Sequence, residues 1–151
     1  PTDTFRKMAT GSKKHVTSAF GEHVTGEEGE YRIMKAAEKE GLKIIEFTVA
    51  PMIEQGGGKS YHEWFIEFEN APQSISDFSM AVDQNLRKKN IYYDDLISGN
   101  ILQTLKIQPV RKNGFIDYMK SIGKLGGQNK VPRLSNDRKL ADELRHYLQE
   151  S

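Results

Sequence analysis

Gly126-Gly127-Gln128-Asn129-Lys130-Val131-Pro132-Arg133 combines flexibility, stiffness and positive charge within eight residues. Two glycines free the backbone at its start and Pro132 fixes it near the end. Lys130 sits between them, with Arg133 close behind. Such an arm can carry one ammonium to an anionic ligand. Taken alone, the same octapeptide reads more simply as a solvated surface turn, because a short motif needs structural context. A second pair of loop cations, Lys13 and Lys14, follows Gly11-Ser12.

Other chemistry has little support. The chain has no cysteine, which removes disulfides, thiol catalysis and cysteine metal sites. His15, His23, His62 and His146 show no metal spacing and no H-E-x-x-H, so no metal site is expected. No G-x-S-x-G nucleophile elbow occurs. Gln55-Gly56-Gly57-Gly58-Lys59-Ser60 resembles a phosphate loop in composition, but it enters a strand rather than a helix. It reads as a flexible connection between strands.

With 151 residues the chain has room for one domain and one substantial core. Net charge is +1, which is no general glove for nucleic acid. The charge is uneven: residues 1–100 hold 12 Lys+Arg against 16 Asp+Glu, and residues 101–151 hold 10 against 5. A basic final third suits an anionic ligand or an acidic neighbour. No apolar run is long enough to span a bilayer and no secretory leader opens the chain, so a cytoplasmic location is expected.

The elements that must position the loop can be read in order. Residues 1–14 form a polar, basic lead-in, and His15–Phe20 a short strand. Thr25 and Glu28 make a capping box for a helix over 27–40, stopped by Gly41. Leu42–Met52 is a strand, with Ile45, Phe47 and Val49 on one face and Leu42 and Ile44 on the other. In the strand Tyr61–Glu69, His62, Trp64, Ile66 and Phe68 alternate with Tyr61, Phe65 and three glutamates. One face should be core and the other largely wet. Its aromatics suggest a base-stacking sheet, but the glutamates would repel phosphates, so core packing is preferred.

A helix from Ser76 or Asp77 to Lys89 places Phe78, Val82 and Leu86 at i, i+4, i+8. Residues 91–101 suit a short helix or packed loop, and 102–110 include a strand. Asn113 caps a helix carrying Phe115, Tyr118, Met119 and Ile122. A last helix starts near Asn136. The first six elements run β-α-β-β-α-β. This gives an α+β fold: a small mixed, mostly antiparallel sheet of about four strands in split βαβ, ferredoxin-like order, with two further helices at the C-terminal end. The expected division is a lead-in over 1–14 and a single domain over 15–151.

Three stretches carry a family resemblance: Gly11-Ser12-Lys13-Lys14-His15 running into Ala19-Phe20-Gly21-Glu22, the strand Tyr61–Phe68, and Gln128–Arg133. Together they resemble the C-terminal domain of the auxin-responsive promoter (GH-three) family, acyl acid–amido synthetases within the acyl-adenylate-forming enzymes. The resemblance implies a mobile C-terminal lid of an ATP-dependent ligase that joins a carboxylic acid to an amine or amino acid. Lys130 matches the family's adenylation lysine. Lys14 matches its hinge-proximal lysine, which reaches the nucleotide, with Lys13 as the neighbouring candidate. Gly126, Gly127, Gln128, Pro132 and Arg133 would orient the loop.

The resemblance further implies ATP and magnesium in a full-length protein, with none held by this fragment alone. The partners would be an N-terminal nucleotide-binding domain of the same protein and the acid and amine substrates, not nucleic acid or a membrane. The phosphate loop and adenine pocket of that larger domain have no counterpart in these 151 residues, so the isolated chain should be inactive. The alternative is a non-catalytic ferredoxin-like binding or interaction module.

Overall fold

A computed structural model describes residues 27–52, 60–124, 131–132 and 138–149. The first helix, α1 (Glu27–Lys39), presents Ile33, Ala36 and Ala37 as one buried stripe. It ends where expected: Gly41 takes φ +70°, and the Leu42 and Gly41 amides return to the carbonyls of Ala37 and Glu38. This is the glycine-dependent closure that satisfies the last helical carbonyls.

Strands β1 (Ile44–Met52) and β2 (Tyr61–Phe68) pair antiparallel. Pro51 is tolerated because β1 lies at the edge of the sheet formed by the described residues. The register shifts between Ile44 and Glu46. That irregularity corrects the face assignment made from strict alternation: Ile44 joins Phe47 and Val49 in the core, and Ile45 is half exposed.

The next helix, α2 (Ile75–Lys89), begins one residue earlier than the pattern suggests. The Ser74 hydroxyl is its cap and accepts from the Asp77 amide at 3.1 Å. Phe78, Val82 and Leu86 are buried as their spacing requires. Asn90 ends α2 and starts α3 (Ile91–Ser98), its side chain accepting from the Tyr93 amide. Residues 91–98 are thus the short helix that was one of the two expectations.

Strand β3 (Lys106–Val110) pairs parallel with β2. Two helices follow, α4 (Gly114–Ser121) and the short α5 (Lys139–Leu144), which runs into a 3-10 turn over Arg145–Tyr147. Residues 147–149 then return to the outer edge of β3. Arg111 donates to the Tyr147 carbonyl, and Gln149 donates to that of Pro109.

The α+β class therefore holds. Among the described residues the sheet has three strands in the order β1-β2-β3, with one antiparallel and one parallel pairing. A split arrangement would interleave a strand between the parallel partners, whereas here they are direct neighbours. The strand expected at His15–Phe20 lies outside the described residues, as does the lead-in over 1–14. No helix among the described residues is long and apolar enough to cross a membrane.

Two cores flank the sheet. Helices α1 to α3 bury Ile33, Phe47, Trp64, Ile66, Phe78 and Leu96 on one side. Ala50, Phe65, Phe115, Tyr118, Val131 and Leu144 form the other. Every residue of β2 is consequently buried. This corrects the expectation of a largely wet face carrying Glu63 and Glu67. The C-terminal elements cover that face, and both glutamates are buried with specific partners; Glu69, just past the strand, is the exposed one. With both faces covered, β2 offers no open stacking platform for bases.

Candidate functional site

The chain approaches the sheet again at Val131 and Pro132. Val131 is 5% exposed and packs into the second core with Ala50 and Phe65. The Pro132 carbonyl accepts a hydrogen bond from the hydroxyl of Thr48, a fully buried residue on β1. Thr48 belongs to the face of β1 that meets Phe65 across the pair. Of the residues singled out for the basic loop, Pro132 is the one described. Lys13, Lys14, Gly126, Gly127, Gln128, Lys130 and Arg133 lie outside the described residues.

Six residues after Pro132 the chain is gripped a second time. Glu63, in the middle of β2, is fully buried. Arg138 Nη2 lies 2.8 Å from its Oε1. Arg145 Nη2 donates to both carboxylate oxygens, at 3.0 and 2.8 Å. Gln108 on β3 adds an Nε2 donor at 2.9 Å. A buried carboxylate needs such company, since its desolvation is otherwise prohibitive. Arg138 also reaches the Pro51 carbonyl at 3.2 Å and Asp142 at 3.3 Å. The β1–β2 pair thus holds residues 131–132 and the start of α5.

Glu67, two turns of the pleat along the same face, has a different task. It accepts from the Asn113 and Phe115 amides at 3.0 and 3.2 Å. It is therefore the cap of α4, and the favourable end of the helix dipole faces its charge. Asn113 occupies the cap position but makes no side-chain cap bond, with its backbone at φ 65°. The expected Asn113 cap is replaced by a tertiary one. Near the end of that helix Tyr118 donates to Glu143 at 2.6 Å, and burial, followed by that carboxylate, pushes the phenol pKa up.

On the opposite face His62 stacks on Tyr93, with ring centroids 6.5 Å apart. The Tyr93 hydroxyl donates to buried Asp83. Burial, then the charge of Asp83, drives the Tyr93 pKa upward. These groups tie α2 to α3 and sit inside the first core. Among the described residues no group of three or more His, Asp or Glu side chains is arranged to hold a metal ion.

Sequence reasoning missed the contacts that hold residues 131–132 and 138 against the sheet. Glu63, Arg138, Arg145 and Thr48 carried no motif. The usable signal was the charge imbalance: glutamates at alternate positions on an aromatic strand, and a C-terminal third rich in arginine and lysine.

Comparison with known proteins follows the same lines. The family described as "GH3 family C-terminal domain" matches residues 29–139. Among solved structures, the chain is similar to GH3.15 acyl acid amido synthetase, with a TM-score of 0.61 and 16% identity over 80% of this chain and 22% of that one. It is also similar to AtGH3.15 acyl acid amido synthetase in complex with 2,4-DB, with a TM-score of 0.58 and 15% identity over 82% of this chain and 23% of that one. At such identities the likeness is one of fold, and this chain spans less than a quarter of those structures. No curated protein matches it by sequence.

Proposed function

This chain belongs to the GH3 family, as its C-terminal domain, and we propose that it serves as the mobile lid of an ATP-dependent acyl acid–amido synthetase. Its partner is an N-terminal domain of the same cytoplasmic protein, which holds the nucleotide and the acid. Adenylation joins a carboxylate to the α-phosphate of ATP and expels pyrophosphate; an amine or amino acid then takes the acyl group. The lid closes over the site for the first step. By itself it is inactive, because the phosphate-contacting loop and the adenine pocket belong to the partner domain.

Lys130 is the catalytic residue in this reading. Carboxylate and α-phosphate are both anionic, and an ammonium brought to their meeting point stabilises the charge of the transition state. Lys14, or its neighbour Lys13, contacts the nucleotide near the hinge. Gly126, Gly127 and Gln128 give the arm its reach, while Pro132 and Arg133 orient it.

The observation that supports this most is the seating of Val131 and Pro132. The residue after Lys130 is buried in the second core, and the carbonyl of the next accepts a hydrogen bond from the Thr48 hydroxyl. The arm is therefore anchored on its C-terminal side. The described residues do not fit magnesium: Glu63 and Glu67 are committed to arginines and amides. The ion is assigned to the partner domain.

The test is a separation of half-reactions in the complete protein. Lys130→Ala should slow ATP–pyrophosphate exchange by about 10²-fold or more, the usual cost of one lost transition-state donor. Transfer from preformed acyl-adenylate to the amine should stay within about threefold, a step in which that donor is not used. Unchanged exchange removes Lys130 from the mechanism.

A further inference from the structure

The outer edge of β3 is only half used. Arg111 donates to the Tyr147 carbonyl and Gln149 to the Pro109 carbonyl, each at 2.8 Å, with Val110 opposite Leu148 in antiparallel register. Backbone groups along a strand alternate direction with a period of two. Ile107 therefore turns its N–H and C=O the same way as Pro109 and Arg111, away from β2. No backbone group among the described residues meets them. An open edge of this kind is a template for another extended chain.

The free half of the edge lies in a groove. Its volume is about 670 Å³, and it runs between β3 and the first turns of α2. Ile75, Met80, Ile97, Leu105 and Ile107 give it apolar walls, and Met80 is 57% exposed. Among the described residues that line it there is no carboxylate, and Lys106 carries the one charge. A bulge closes one end. Ser60 stands beside Leu102 and Glu63 beside Lys106, so three steps on the β2 side match four on the β3 side. The open stretch is short, which suits a short segment rather than a whole added sheet.

We infer that this groove binds a short extended peptide segment, paired antiparallel with β3 in the register already set by residues 147–149. The segment residue opposite Ile107 shares its face, and Ile107 belongs to the first core. That side chain enters the groove and is apolar. The following residue lies opposite Lys106, on the other face. Lys106 is exposed, with its ammonium 4.3 Å from the centroid of the Tyr61 ring, and it favours a carboxylate across the pair. The partner is thus an extended segment reading polar, apolar, acidic from its N-terminal side. Backbone pairing gives the affinity and the two side chains give the choice, as when a peptide adds to a sheet edge. The inference stands apart from the adenylation reading.

The probe is acetyl-Thr-Thr-Val-Glu-Thr-amide, titrated into this chain and followed by amide resonances and hydrogen exchange. Binding should shift the Ile107 and Met80 signals, and saturation should slow exchange of the Ile107 amide about tenfold or more. A probe N-methylated at its valine lacks the donor for the Ile107 carbonyl. It should bind about tenfold more weakly, the cost of one hydrogen bond with a steric block added. Lysine in place of the probe's glutamate should cost about threefold. Met80→Asp, at an exposed position outside both cores, should weaken the unmodified probe about fivefold or more by charging the apolar wall. Equal affinity for either modified probe, no effect of Met80→Asp, or no shift at Ile107 with any probe overturns the inference. So does an Ile107 amide already as protected in the free chain as the amides of β2, because the edge is then closed without a partner.

Discussion

Asp83 is 3% exposed and meets the Tyr93 hydroxyl rather than a cation. Burial raises its pKa, with the Tyr93 hydrogen bond and then the Arg87 charge working in the opposite direction. The sign for stability follows. A carboxyl whose folded pKa is raised favours the neutral form, so its contribution is complete below its ordinary value and is lost as pH rises through the folded one. Asn imitates that neutral form. The stability gap between wild type and Asp83→Asn should therefore move in favour of Asn between about pH 4 and pH 7, across the ordinary carboxylate range and above it. Denaturant midpoints of both proteins at the two pH values measure it, and a constant gap removes Asp83 from the titration. Residues like this were only partly legible in the sequence. Phe78, Val82 and Leu86 announced their burial by spacing, but Asp83 beside Val82 carried no such mark. Glu63 and Glu67 looked like the wet half of an alternating strand. Their partners, Gln108, Arg138, Arg145 and the Asn113 and Phe115 amides, are 45 or more residues away. No local pattern encodes a contact of that range.

At the scale of elements, the junction of β3 and α4 leaves no room for a side chain at Gly114. A Cβ added at Gly114 would collide with Val110 and approach the Tyr147 carbonyl to 3.1 Å. That carbonyl accepts from Arg111. Gly114→Ala should therefore cost about 1–3 kcal/mol through overpacking, even though Ala favours helix over Gly. It should also speed hydrogen exchange at the Arg111 amide ahead of amides in β2. Equal or greater stability for the alanine variant would show that the C-terminal segment yields without cost. The elements themselves were readable wherever periodicity and end signals agreed, as in α1 with Gly41 and in α2 as far as Lys89. They were misread where geometry departs from the ideal repeat. The shift between Ile44 and Glu46 exchanges two adjacent isoleucines, and alternation has no means of marking it. At α4 the position of Asn113 suggested the right boundary for the wrong reason, because the capping oxygen comes from β2. The seating of Val131 and Pro132 was not legible, because it depends on a sheet face assembled from distant segments.

At the scale of the whole molecule, one strand serves two cores. Trp64 belongs to the first and its neighbour Phe65 to the second, and both are fully buried. Neither core can open without disturbing β2, whose backbone is shared with β1 and β3 on its two edges. The cores should therefore unfold together, as expected for a small domain with a continuous hydrogen-bonded centre. Trp64 is the only tryptophan, so its fluorescence reports the first core alone. Phe65→Ala removes an aromatic side chain from the second core and should cost about 3–5 kcal/mol. If the coupling is real, the fluorescence midpoint in denaturant falls as far as the midpoint seen by far-ultraviolet circular dichroism, and the two curves stay superimposed. A fluorescence midpoint that stays at its wild-type value while the dichroism curve becomes biphasic would mean that the second core melts separately. In that case α4, α5 and the segment seated at Val131 and Pro132 would form a detachable layer over the β1–β2 pair.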